Sequence, residues 1–238
     1  MRPTMPCSPA GISRTSMPIE SYSLSSLPRR AVLRYLGYRG QEIASEIDAR
    51  IDRFVARVLE LAHPRSSWAV FDVAGRSARD DGTSETHLAG TALTLMGSSI
   101  ATHMDGAVAC AVMAVTVGMD VERELKRLSA TDSVASVIFD AAASVAVEEA
   151  AAACQKSIIA EAAARGLHAN ARFSPGYGDL PLAVQPVLLA SVDAQRRLGI
   201  ALTDTLLMVP TKSITAVMGI FETSRAARRS ELMSGSLA

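Results

Sequence analysis

Aromatic residues make up only 4% of this 238-residue chain, and cysteine occurs three times, at Cys7, Cys110 and Cys154. So few rings leave alanine and aliphatic side chains to fill the interior, which favours closely packed helices. The cysteines are odd in number, far apart and without a CxxC pair. They therefore suit free thiols in a reducing compartment, the cytoplasm, better than a disulfide framework or a cysteine zinc site. An excess of charge is also missing, with 24 basic and 24 acidic residues. No bulk field draws the chain to nucleic acid or to an acidic membrane surface. Long hydrophobic runs are lacking too. The most apolar run, Ala107 to Met119, falls well short of the ~20 residues that span a bilayer. His103 and Asp105 precede it and Asp120 follows it. A buried helix is the expectation for it, with no membrane.

Enzyme signatures are absent as well. There is no GxSxG, phosphate-binding Walker loop, HExxH or GxGxxG, so serine hydrolases, P-loop nucleotidases, zinc proteases and dinucleotide-binding oxidoreductases lose their usual sequence support. His103 and Asp105 diverge when placed two apart on a helix, so capping or a core edge suits them better than a metal.

What remains reads as alternating order and punctuation. Residues 1–28 carry several prolines and serines without periodicity and no apolar targeting segment, and are expected to form a disordered tail. Residues 222–238 read as a second tail, leaving one domain over 29–221. From Arg29 to Leu61 apolar residues recur at three- and four-residue steps, a helical pattern that His63-Pro64 ends. Trp68 to Val73 and His87 to Leu95 read as strands around a polar loop. Ser98 or Ser99 caps a helix expected to run to Gly118, and Asp120 opens a short charged helix. Asp132 to Arg165 is a long alanine-rich helix stopped by Gly166. Val184 to Leu198 is amphipathic and stops at Gly199. Thr205 to Val209 and Ser213 to Ile220 read as strands joined through Pro210-Thr211-Lys212. Helices and strands do not alternate regularly, so a mixed α+β domain is expected rather than a doubly wound sheet.

One stretch is more decorated than a connection needs, ARFSPGYGDLPLAVQP at residues 171–186. Arg172 offers a planar donor fork suited to a carboxylate. Pro175-Gly176 makes a tight turn, and Gly176 and Gly178 leave backbone groups approachable. Tyr177 presents a flat face beside them, suited to stacking on a base or a sulfonium. Glu148-Glu149 interrupts the alanine run of the long helix. One of the two must turn from solvent if that helix is central; otherwise both line a solvated edge.

RFSPGYGDLPLAVQP, followed by LGIALTDTLLMVPTKSITAVMGIF, resembles the activation (reactivation) domain of cobalamin-dependent methionine synthase, and most of all its free-standing bacterial form. Arg172, Pro175, Gly176 and Tyr177 match that family's RxxPGY element. Leu202, Thr203, Thr205, Met208, Pro210, Lys212 and Ser213 match the hairpin that follows it. VLRYLGYRG, GSSIATHMDGAVACAVMAVTVG and VIFDAAASVAVEEA are similar to its opening and its two central helices.

The resemblance implies a C-shaped α+β domain around a twisted antiparallel sheet, with flanking helices. It would bind S-adenosylmethionine (AdoMet) and present the methyl group to a corrinoid carried by the cobalamin-binding domain of a separate methionine synthase. A flavodoxin-like donor would supply the electron. By the same likeness Arg172 would grip the AdoMet carboxylate, Glu148 its amino group and the Ser174 backbone its adenine or ribose, while Gly176 keeps the turn open and Tyr177 sits by the sulfonium. No catalytic residue and no metal are implied. Gly178-Asp179-Leu180-Pro181 departs from the fused form's GYPACP and follows the free-standing one. No counterpart of the fused form's later tyrosine follows the last hairpin. Two other functions share the pattern: reactivation of another corrinoid methyltransferase, and a binding module that has lost AdoMet.

Overall fold

The computed structural model describes residues 17–222. In chain order its elements are β1 (Ile19–Ser21), α1 (Arg29–Tyr35), α2 (Ser45–Leu61), β2 (Arg65–Ala78), β3 (Ser84–Leu88) and β4 (Thr94–Met96). Next come α3 (Ser98–His103), β5 (Ala109–Thr116), α4 (Met119–Thr131), α5 (Ser133–Ala164) and β6 (His168–Ala169). After a 3-10 turn at Leu182–Val184 follow α6 (Gln185–Ser191), α7 (Ala194–Leu198), β7 (Ala201–Leu202), β8 (Met208–Val209) and β9 (Ser213–Phe221).

The main sheet is antiparallel in the order β4-β3-β2-β5-β9-β6, with β1 added to the start of β2. It curls into a half-barrel with helices against it, a mixed α+β domain as expected. β5 is its axis, and all eight of its residues are buried. Cys110, Val112 and Ala114 face α6 and α7, whereas Ala109, Ala111, Met113 and Val115 face α5. A strand covered on both faces shows no polar alternation, so its apolar run has the look of a buried helix. The helix expected from Ser98 to Gly118 is therefore corrected: α3 ends at His103, the chain turns at Gly106 with φ +70°, and the remainder is β5.

α5 spans 32 residues, as the alanine pattern predicts. The Asp132 carboxylate accepts the Ala135 N–H at 3.0 Å, and Gly166 (φ +72°) follows its end. Its first half meets α1, α2 and α4 through Phe139, Ala142 and Val145. Its second half lies on the sheet, where Ala150, Ala151 and Cys154 face Met113 and Met218. Small side chains allow helix and sheet to approach closely, and no side of the helix is left for an amphipathic stripe.

Other expectations also shift. The helical stretch 29–61 divides into α1 and α2, with Gly37 and Gly40 at positive φ between them. His87 to Leu95 is two strands, β3 and β4, turning through Gly90. The 184–198 helix breaks at Asp193, whose φ is +52°. β8 pairs with β7 and not with β9, so Pro210-Thr211-Lys212 is a crossing between two sheets rather than a hairpin turn. Residues 19–21, expected in the tail, form β1. Tyr22 Oη donates to Glu20 at 2.6 Å and lies 2.7 Å from Ser66 Oγ, while Trp68 Nε1 donates to Glu20 at 3.1 Å, fastening this strand. The rest of the expected tails, 1–16 and 223–238, lies outside the described residues. Among those described, no helix is long and apolar enough to cross a membrane.

Candidate functional site

β9 is flanked by β5 on one side and only partly covered on the other. β6 pairs with its last residues, His168 opposite Phe221 and Ala169 opposite Ile220. Asn170 extends the contact: its N–H donates to the Gly219 carbonyl at 3.1 Å and its Oδ1 accepts the Gly219 N–H at 2.7 Å. Phe173 then exchanges two backbone bonds with Val217, both 2.9 Å. There the pairing stops. Pro175 has no N–H to donate, and the chain folds into its own turn. Tyr177 N–H donates to the Ser174 carbonyl at 3.1 Å and Gly176 N–H to the Leu180 carbonyl at 2.8 Å.

Asp179 holds this turn against α3. Its carboxylate accepts the Ser98 hydroxyl at 2.7 Å, the Ser98 N–H at 2.6 Å and the Ser99 N–H at 3.0 Å. The Ser98 side chain, with the two backbone donors, holds the Asp179 carboxyl down to about 2. Glycine is needed at the contact. A Cβ on Gly178, whose φ is +51°, would lie 2.8 Å from Ser99, and one on Gly97 would lie 2.4 Å from the Asp179 carboxylate. His103 packs at a tilt against Phe173 with ring centroids 5.0 Å apart, and its Nε2 lies 3.0 Å from the Ala171 carbonyl. It braces the segment, and among the described residues no three His, Cys, Asp or Glu side chains gather as a metal site.

Where the turn leaves β9, a groove of about 630 Å³ opens between the turn, α5 and the β7–β8 hairpin. That volume suits a small-molecule site. The structure brings four of the five sequence-predicted residues to its wall: Arg172, Ser174, Tyr177 and Glu148. Arg172 reaches across to α5, donating from Nε to Gln155 Oε1 at 2.9 Å and from a terminal nitrogen to Glu148 Oε2 at 3.1 Å. This places a guanidinium and a carboxylate side by side with room for further bonds. Tyr177 is 69% exposed and meets Phe173 edge-on, leaving its ring free at the groove mouth. Gly176 is not on the wall, and its N–H is bound within the turn, so its part is conformational, with φ +89°. Glu148 is the exposed member of the Glu148-Glu149 pair.

Sequence reasoning missed the far wall. Gln185, Ser213 and Thr215 line the groove although all three side chains are buried. The available signal was the pair of hydroxyl residues at alternate positions in the otherwise apolar SITAVMGIF of β9. Gln185 reads from the sequence as one more polar residue of a surface helix. The two cysteines described here stand apart from the groove wall, and burial pushes the Cys110 thiol up to about 12 and that of Cys154 up to about 11.

Among known proteins, no family model matches the chain and no curated protein is similar in sequence. Its fold is similar to a crystal structure of the MetH reactivation domain bound to AdoHcy. The TM-score is 0.56 with 14% identity, over 88% of this chain and 80% of that one. The fold is thus that of the reactivation domain, a likeness of architecture rather than of sequence.

Proposed function

We propose that the chain is an AdoMet-binding accessory protein that presents its ligand to the corrinoid of a separate cobalamin-dependent methionine synthase, for reductive methylation. The observation that carries this reading is the Arg172–Glu148 pair at the edge of the groove. A guanidinium and a carboxylate 3.1 Å apart complement an α-amino acid, whose carboxylate and ammonium are themselves neighbours. A fold shared with a domain that holds AdoHcy supports the same ligand class.

AdoMet supplies an electrophilic methyl group on its sulfonium. The work left to this chain is positional, so no general acid or base is required of it. Arg172 and Glu148 hold the amino-acid end, and Gln155 fixes the guanidinium so that its planar face stays in register. Ser174 borders the nucleoside portion. Tyr177 projects at the mouth, where the sulfonium would meet both an aromatic face and a docked partner. The cobalamin-binding domain of the synthase is the proposed partner, and a flavodoxin-like protein the proposed electron donor.

Isothermal titration with AdoMet, with and without a cobalamin-loaded methionine synthase, tests the reading. Binding heat in at least one condition, larger with the partner, is the expected result. No heat in either overturns it. Binding of AdoMet without any response to that synthase, but with one to another corrinoid methyltransferase, moves the assignment to that enzyme.

A further inference from the structure

β9 offers its backbone groups alternately to its two sides. The bond from Val117 N–H to the Lys212 carbonyl places the even-numbered residues on the β5 side. The paired bonds of Phe173 with Val217 place the odd-numbered residues on the other side. Thr215 is the next odd residue. The chain that would pair with it is the Ser174-Pro175 stretch, which has already turned away with no N–H at Pro175. No group of the described residues bonds to the Thr215 N–H or carbonyl. A donor and an acceptor of a residue only 3% exposed are thus left unmatched at the groove wall.

Beside them is Gln185, 4% exposed. Its Oε1 accepts the Thr215 hydroxyl at 2.6 Å, which fixes the amide plane, and its Nε2 has no partner among the described residues. An unmatched buried amide is destabilising by roughly 1–3 kcal/mol, so its retention on a groove wall points to a bound group that completes it. The apolar side chains of Leu182 (46% exposed) and Leu207 (62% exposed) flank the same groove and offer faces to a flat ring.

We propose that the open β9 edge at Thr215, together with the Gln185 amide, reads the base of the bound nucleoside. The base it fits is adenine, whose exocyclic amino group donates beside a ring nitrogen that accepts. The Thr215 carbonyl and N–H complement that pair, and Gln185 Nε2 meets a further acceptor of the nucleoside. The proposal rests on the AdoMet reading and adds to it the source of nucleobase specificity, which lies outside the RFSPGY turn.

The experiment titrates the full chain with S-adenosylhomocysteine and with S-inosylhomocysteine, in which the amino group becomes a carbonyl and the adjacent ring nitrogen a donor. The protein is unaltered, so folding is not at issue. The inosyl compound should bind at least about tenfold more weakly, and the Thr215 amide resonance should shift on titration with the adenosyl compound. Gln185→Met should weaken adenosyl binding by about threefold or more. Equal affinity for the two compounds, or an unmoved Thr215 amide at saturation, overturns the proposal and leaves the AdoMet reading standing. Failure of the unaltered protein to bind either compound, both alone and with the cobalamin-loaded synthase, overturns both.

Discussion

Arg172 is committed to α5 before any ligand arrives, and this shapes what its loss would do. Removing the guanidinium takes away the proposed charge-assisted partner of the ligand carboxylate and also releases Glu148 and Gln155. Arg172→Ala should weaken AdoMet or AdoHcy binding by about 2 kcal/mol, measured by titration calorimetry; unchanged affinity would show that the carboxylate is held elsewhere. Tyr177→Phe keeps the ring and should change affinity little, because the contact proposed for it is stacking rather than a bond from the hydroxyl. The thiols give an independent test of the core. Burial raises both Cys110 and Cys154 well above ordinary thiol values. In a Cys7→Ser variant, a thiol reagent at pH 8 should therefore label neither until denaturant is added. Rapid labelling under native conditions would contradict the buried placement of β5 and α5.

The turn and α3 behave as one unit, and Asp179 is its clasp. Its carboxyl is held at about 2 in the folded chain against an ordinary value of 3.8. A depressed carboxyl contributes stability that is fully present above its unfolded value and is lost as pH falls through the folded one. The turn should consequently loosen between about pH 4 and pH 2, and the hydrogen-exchange protection of Leu180 and Gly176, taken against the unstructured rate at each pH, should fall there; Asp179→Asn should remove that pH dependence. Gly178→Ala tests the same contact by shape. It places a methyl 2.8 Å from Ser99 at a positive φ, and should destabilise the chain by about 1–3 kcal/mol in urea unfolding. At this scale the structure is legible in the sequence where one segment carries its own signals. The N-cap of Asp132, the alanine run and Gly166 delimit α5 locally. It is not legible at β5, since burial on both faces erases the period that separates strand from helix. Pro210 is ambiguous for a related reason: it marks a break, and only pairing partners decide whether the two sides return to one sheet or enter two.

Across the whole molecule, α5 is the element that joins the helical cluster, the sheet and the groove. Ala150 is fully buried between it and the sheet. Ala150→Leu should overfill that contact and destabilise the fold by about 1–3 kcal/mol, and shift of α5 should weaken ligand binding through Glu148 as well. A stable variant with native affinity would mean that helix and sheet have slack between them. Composition, capping residues and the RFSPGY pattern determined the α+β class, the long helix and the near wall of the groove, because each is written in residues adjacent along the chain. The far wall was decided by tertiary structure alone. Gln185 and Thr215 are separated by 30 positions, and what makes them notable is an unpaired strand edge created when Pro175 turns the chain away. Hydrogen-bond vacancy is a property of two segments brought together, and neither segment carries it by itself.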